Sequence, residues 1–250
     1  MSESDVETIT LIAASFFLGG ISKGLLGLGL PMVVMTILGP FLGVKLALAL
    51  LIVPALLTNI WQAWAGDALV AILKRLWPFF VAAVFGVWIG SLILIGSSDW
   101  VLLMLLGCGL TVYAAISLVS PPLPEPGPRE LWMAPGAAFT GGILFGMVGN
   151  FIVPGILYLQ ALNLGRNALV QAMGVSFVVL SASLAAFLAG HAVLTMDELA
   201  FTLITLPMAV AGMAVGIRLR GLVSEERFRT LFFVALLAAG ILMAVRASVS

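Results

Sequence analysis

Residues 19–31 read GGISKGLLGLGLP, and residues 141–154 read GGILFGMVGNFIVP. The second stretch is a degenerate copy of the first. Gly19, Gly20, Gly24 and Gly27 recur at a constant offset as Gly141, Gly142, Gly146 and Gly149, and Pro31 recurs as Pro154 after a one-residue slip. Glycine is where a helix is weakest. Proline suits the first turn of a new one. Each stretch therefore predicts a helix that breaks and restarts.

The surroundings say where this happens. The chain has 250 residues, 62% of them hydrophobic and 9% charged, with a mean hydropathy of +1.24. Soluble domains carry roughly 45–50% apolar and about 25% charged residues. The chain is an integral membrane protein, and its apolar runs are too long for barrel strands. Backbone polar groups find no water in lipid, which selects helices. The zero net charge excludes a basic nucleic-acid surface. The single cysteine, Cys108, excludes an internal disulfide and reads as a small packing residue. The acidic start MSESDVETIT lacks the basic region of a cleaved signal, so the first apolar segment is expected to be retained.

With about 20 residues per span, the first half divides into segments A (8–38), B (45–65), C (77–95) and D (100–119). The linker 120–130, SPPLPEPGPRE, has too many prolines to continue a helix. The second half gives A′ (131–161), B′ (168–189), C′ (199–219) and D′ (228–245). Residues 1–119 and 131–250 are thus expected to be two homologous transmembrane repeats. Gly43 matches Gly165, Pro78 matches Pro207, and Gly86/Gly90 match Gly212/Gly216. The last two pairs are small-xxx-small faces for close helix packing. Internal duplication is typical of secondary transporters.

Segments A and A′ are each about 31 residues, roughly 46 Å as a straight helix, against about 30 Å of hydrocarbon. Two architectures fit: a crossing helix unwound in its middle, or a re-entrant hairpin with the glycines at its tip. Crossing segments distribute the basic residues nearly evenly between the two sides. Re-entrant segments place Lys74, Arg75, Arg129, Arg166, Arg218, Arg220, Arg227 and Arg229 on one side, leaving Lys45 and Arg246 on the other. The positive-inside rule favours the second arrangement. The expectation is an all-α polytopic fold of two inverted repeats. Each has a Gly-rich broken or re-entrant segment plus three transmembrane helices, and both termini lie outside.

The candidate site follows from the breaks. Lys23 lies in apolar sequence, where a lysine costs about 2.5–3.5 kcal/mol and usually faces a cavity; the alternative is that it snorkels to an interface. Helix starts at Pro31 and Pro154 would offer N–H groups and a dipole to an anion. Gly24, Gly27, Gly29, Gly146 and Gly149 would let backbone approach it, and Asn150 would cap or donate. The competing reading of these glycines is helix packing alone. In segment B, Asn59 and Gln62 share a face, with Trp61 between them. The amides either contact ligand or lock neighbouring helices. His191 reads as a loop residue, and Asp197, Glu198, Glu225 and Glu226 as solvated charges. No Ser/His/Asp set, metal cluster or nucleotide loop is present, so neither an enzyme, nor a metal, nor a cofactor is expected.

The GxxxGxxGxG–P stretch, the P-x4-N element from Pro54 to Asn59 and the degenerate second copy resemble the TauE/SafE family, from Phe16 to about Val245. Where members often carry a GFGG-like sequence, this chain has GLLGLGLP. The resemblance implies a bacterial inner-membrane exporter of sulfite, sulfoacetate or a related organosulfonate. The substrate follows from the resemblance alone; the anion site follows from the residues. The reading is a multi-pass secondary transporter working by alternating access, with both termini periplasmic. Its partners are a small anion and the bilayer, and a homo-oligomer stays open. An anion channel and a non-transport scaffold subunit are the alternatives.

Overall fold

The computed structural model describes residues 3–119, 124–191, 200–220 and 222–249. Every regular element among them is a helix. In order these are α1 (Glu3–Leu26), α2 (Leu30–Leu42), α3 (Val44–Trp64), α4 (Leu69–Gly96) and α5 (Asp99–Val119). A 3-10 turn at Gly127–Arg129 leads into α6 (Glu130–Val148), followed by a segment kinked at Val153 (Ile152–Ile156) and α7 (Leu157–Ala161). Then come α8 (Arg166–Gly190), α9 (Thr202–Leu219) and α10 (Glu225–Val249). Among the described residues, 7 helices are long and apolar enough to cross a membrane; α2 and the Ile204–Leu219 stretch of α9 are shorter apolar helices.

The polytopic helical class read from the sequence is what the structure shows, and each half carries one broken segment followed by three further helices. Helix ends differ from the apolar runs. Lys74 and Arg75 lie within α4, which starts at Leu69, and α1 starts at Glu3. Charged residues at a helix end keep their heads in water while their stems extend the helical rod. Apolar sequence therefore marks the lipid-buried part of a helix and not its whole length.

Two compact units form, and neither is a sequence half. One comprises α1, α2, α3 as far as Pro54, α5, α9 and α10. The other comprises the rest of α3 from Ala55, with α4, α6, α7 and α8.

In the first unit α1 and α9 run parallel and touch backbone to backbone. A Cβ on Gly20 would strike the Ala209 carbonyl, and one on Gly24 the Met213 carbonyl. From the other side, Gly212 meets the Phe17 carbonyl and Gly216 that of Ile21. All four hypothetical contacts fall under 3.0 Å, closer than a real Cβ approaches. Lipid tails are as apolar as leucine, so helices associate in a bilayer through such close packing. In the same unit α5 crosses α10 antiparallel at Gly107 and Gly240, and Tyr113 meets Phe233 edge-to-face at 5.1 Å.

The second unit repeats the device. Parallel α4 and α6 close on Gly86 and Gly90 against the Phe139 and Ile143 carbonyls, and on Gly142 and Gly146 against those of Ala83 and Val87. The broken segment of each sequence half thus packs on the third segment of the other. Nearby, Phe79 stacks on Tyr158 at 5.7 Å and meets Phe151 edge-on at 5.8 Å.

Candidate functional site

The first break is built by three residues. Gly27 takes φ 78°, a value that L side chains rarely adopt, and its N–H donates to the Lys23 carbonyl at 2.8 Å. That left-handed turn ends α1 in the manner of an αL cap. Gly29, at φ 115°, is the N-cap of α2, and Pro31 stands in its first turn. The Ser22 hydroxyl donates to the Leu28 carbonyl at 3.5 Å, and a Cβ on Gly29 would collide with that hydroxyl. Leu30 lies against Gly19. The chain has therefore reversed, and α2 runs back along α1. The path is a helical hairpin with the glycines at its turn, although α1 alone is of spanning length.

Lys23 lies in the last turn of α1, only 4% exposed. The carbonyl end of a helix carries partial negative charge, so a cation is favoured there. A second cation reaches the same helix end: the Arg220 Nε donates to the Gly24 carbonyl at 2.6 Å. In the sequence Arg220 counts only among the basic residues that set the topology. Nothing local marks it, because the carbonyl it caps lies in a distant part of the chain.

The second break starts in the same way. Gly149 takes φ 74°, and its N–H donates to the Phe145 carbonyl at 2.8 Å. Phe151 and Gly155 come back against Gly141, as Leu30 does against Gly19. From there the copies differ in detail. Val153 is extended (φ −112°, ψ 120°) and kinks the chain, and helical backbone resumes at Pro154 and runs on through α7. The Ile156 N–H donates to the Phe151 carbonyl at 3.3 Å across this kink. Asn150, on this turn, is 5% exposed.

The copies converge again at Gly43 (φ 81°, ψ 153°) and Gly165 (φ 74°, ψ 156°), which precede α3 and α8 with the same extended, left-handed backbone.

The other candidates separate by role. Gly24 and Gly146 are packing glycines, their α-carbons pressed on α9 and α4 respectively. In α3, Asn59 is 2% exposed and Gln62 6%. Gln62 Nε2 donates to the Val170 carbonyl at 2.8 Å, so this amide locks α3 to α8. Gln171 answers from α8. Its Nε2 donates to the Ala63 and Gly66 carbonyls at 2.8 Å, and its Oε1 accepts from Ala68 N–H at 2.9 Å. Together the two amides close the end of α3. Trp61 is 55% exposed and points away from this face.

By unit, Lys23, Gly24, Gly27, Gly29 and Pro31 belong to the first, and Asn59, Trp61, Gln62, Gly146, Gly149, Asn150 and Pro154 to the second.

Three buried hydroxyls of the second unit, Tyr158, Ser181 and Ser183, have no hydrogen-bond partner among the described residues. Leaving such a group unpaired costs about 1–3 kcal/mol. Ser176, by contrast, donates to the Ala172 carbonyl one turn back at 2.7 Å. The constant offset of the repeat puts Ser181 at the place of Asn59, a signal the sequence does hold; Tyr158 and Ser183 have none. His191 caps the end of α8, its Nδ1 2.8 Å from the Phe187 carbonyl and its ring stacked on Phe187. No group of three metal-ligating side chains occurs among the described residues. Asp197 and Glu198 lie outside the described residues. Glu226 is exposed in the first turn of α10, where its charge suits the helix dipole.

Among the described residues the two breaks and their surroundings hold buried amides, hydroxyls, glycine turns and a buried lysine. A scan against family models matches sulfite exporter TauE/SafE over residues 11–243. Comparisons with curated proteins and with solved structures return no match. The match covers nearly the whole chain, including both glycine breaks, and the chain therefore belongs to the sulfite exporter TauE/SafE family of membrane transporters, which are not enzymes.

Proposed function

We propose that the protein exports a small sulfur-containing anion, sulfite or an organosulfonate such as sulfoacetate, across the bacterial inner membrane by alternating access. The observation that carries this reading is the first break. There a buried lysine, a left-handed glycine turn and the start of α2 share one short stretch. A helix start presents N–H groups without intrahelical acceptors, and the lysine adds the N–H donors of a basic side chain. Sulfite and sulfonates are compact oxyanions that accept from both. The second break carries Asn150 and the backbone of the Gly149 turn, with no lysine, since Phe145 stands where Lys23 does. Recognition of charge is therefore lopsided between the two copies. Asn59, and Ser181 at the matching place in the repeat, are the polar side chains proposed to line the route.

The fold supports an inverted repeat, with the basic residues gathered on the cytoplasmic side and both termini periplasmic. Each broken segment doubles back, which is the path the charge distribution requires.

The test is efflux of sulfite and of sulfoacetate from loaded proteoliposomes. Lys23→Ala is expected to lower the rate at least tenfold, a change of about 1.4 kcal/mol, and Lys23→Arg to retain more of it. Near-normal efflux by Lys23→Ala would sink the role of the charge. Efflux that rises without saturation as the anion is increased would sink the carrier reading in favour of a pore.

A further inference from the structure

A polar pocket and an apolar groove meet on the outer face of the α4–α6 pair. At its N-terminal end, Arg75 and Glu130 form a bidentate ion pair, Nε to Oε1 at 2.7 Å and Nη2 to Oε2 at 2.8 Å. The pair lines a cavity of about 310 Å³ together with Pro78, Pro128 and Leu131. Pro78 also lines a second hollow, of about 570 Å³, bounded by Trp77, Val81 and Phe85 of α4 and by Pro135, Gly136 and Phe139 of α6.

The groove has a plain cause. Further along, glycines bring α4 and α6 into backbone contact. Here each helix carries an internal proline, Pro78 and Pro135, which removes a backbone hydrogen bond. Ala82 and Gly136 add little bulk, and a Cβ on Gly136 would meet nothing within 4 Å. The result is a trough, walled by aromatic rings, on the side of two helices of spanning length.

Charge identifies the occupant. Arg75 and Glu130 cancel each other. Their neighbours Lys74 and Arg129 are both exposed, and the ion pair holds them at one end of the helix pair. Glu125 of the linker also acts on Arg75, so Lys74, Arg75 and Arg129 stand against Glu125 and Glu130, a balance that is still positive by one. An exposed tryptophan, Trp77, sits just inside this end, as at a membrane interface. An amphiphile with an anionic head and an apolar tail matches this order of surfaces. Basic pockets between transmembrane helices bind anionic headgroups in the same way. A second copy of the chain fits less well: a two-fold pair seated on this face would bring the like charges of both copies together.

We propose that the trough binds one acyl chain of an anionic glycerophospholipid, with the headgroup phosphate held by Lys74 and Arg129. The proposal does not depend on what the protein transports.

The experiment uses the full chain, purified in detergent and stripped of lipid. Phosphatidylglycerol, phosphatidylcholine, glycerol 3-phosphate and inorganic phosphate are titrated while lipid adducts are counted by native mass spectrometry. Phosphatidylglycerol is expected to bind at least tenfold more tightly than phosphatidylcholine, and the two tailless phosphates not at all. Lys74→Gln with Arg129→Gln should bring the two lipids to within about twofold of each other. Gly136→Leu, whose side chain points into open space and fills the trough, should lose the adduct at an unchanged circular dichroism spectrum. Undiminished phosphatidylglycerol binding by Gly136→Leu would overturn the proposal. So would equal binding of inorganic phosphate, or a parent dimer that Gly136→Leu converts to a monomer with lipid binding intact.

Discussion

Arg220 shows how much one side chain can settle at the end of a helix. The last carbonyls of α1 have no intrahelical donors, and Arg220 supplies one to Gly24. A hydrogen bond to a charged group contributes about 1.5–3 kcal/mol. Arg220→Leu is expected to lower the melting temperature of the purified protein by several degrees, and Arg220→Lys to restore part of the loss. Gly27 is the complementary case. Its φ of 78° excludes an ordinary side chain without strain, and the left-handed conformation costs an L-residue about 1–2 kcal/mol. Gly27→Ala should therefore destabilise the protein by about that amount in a denaturation assay. Ser181 sets a different expectation. Its hydroxyl has no partner among the described residues, so Ser181→Ala should leave stability unchanged or raised. A loss of sulfite efflux in that variant without a loss of stability would assign the hydroxyl to the route.

At the scale of the element, glycines in the same helices do opposite things. In α6, Gly142 is pressed on the Ala83 carbonyl whereas Gly136 faces open space. Gly142→Ala is expected to push α4 and α6 apart and reduce the folded yield sharply. Gly136→Ala should stabilise α6 by about 0.5–1 kcal/mol, since glycine weakens a helix by that much relative to alanine. Comparing the two melting temperatures checks both. The same contrast explains what the sequence made legible. The breaks at Gly27 and Gly149 could be read, because glycine and proline act on their own backbone. The small-xxx-small faces could also be read, though not what they would face. Whether Gly24 touches a ligand or a helix depends on Met213 and Gly216, nearly two hundred positions away. The amide of Gln62 is open between two roles for the same reason: the carbonyl it donates to, that of Val170, lies over a hundred positions away. The kink at Val153 lies where the copies slip by one residue, but a slip alone does not say whether a turn tightens, widens or unwinds.

For the whole molecule, the two compact units each draw elements from both sequence halves. The halves are consequently not independent folding bodies. Residues 1–119 and 131–250, expressed separately, are expected to be degraded when alone. Expressed together they should accumulate and co-purify. Stable accumulation of either fragment by itself would contradict the exchange of packing partners. The class of fold was fully legible from composition, because a bilayer admits few architectures. The exchange was not, because a repeat in sequence is silent about whether its copies pack within themselves or across.

The pairing of α1 with α9 also sets a schedule. Helix α1 ends at Leu26 and α9 at Leu219. At about 5–20 residues per second of synthesis, the first helix waits roughly ten to forty seconds for the surface that covers its glycines. During that interval its buried lysine and bare backbone stripe face lipid or the insertion machinery. The α4–α6 pair, separated by one intervening helix, closes much sooner. The second unit is the one that a nascent chain can complete first, and the first break, with its lysine, is among the last parts of the transporter to be enclosed.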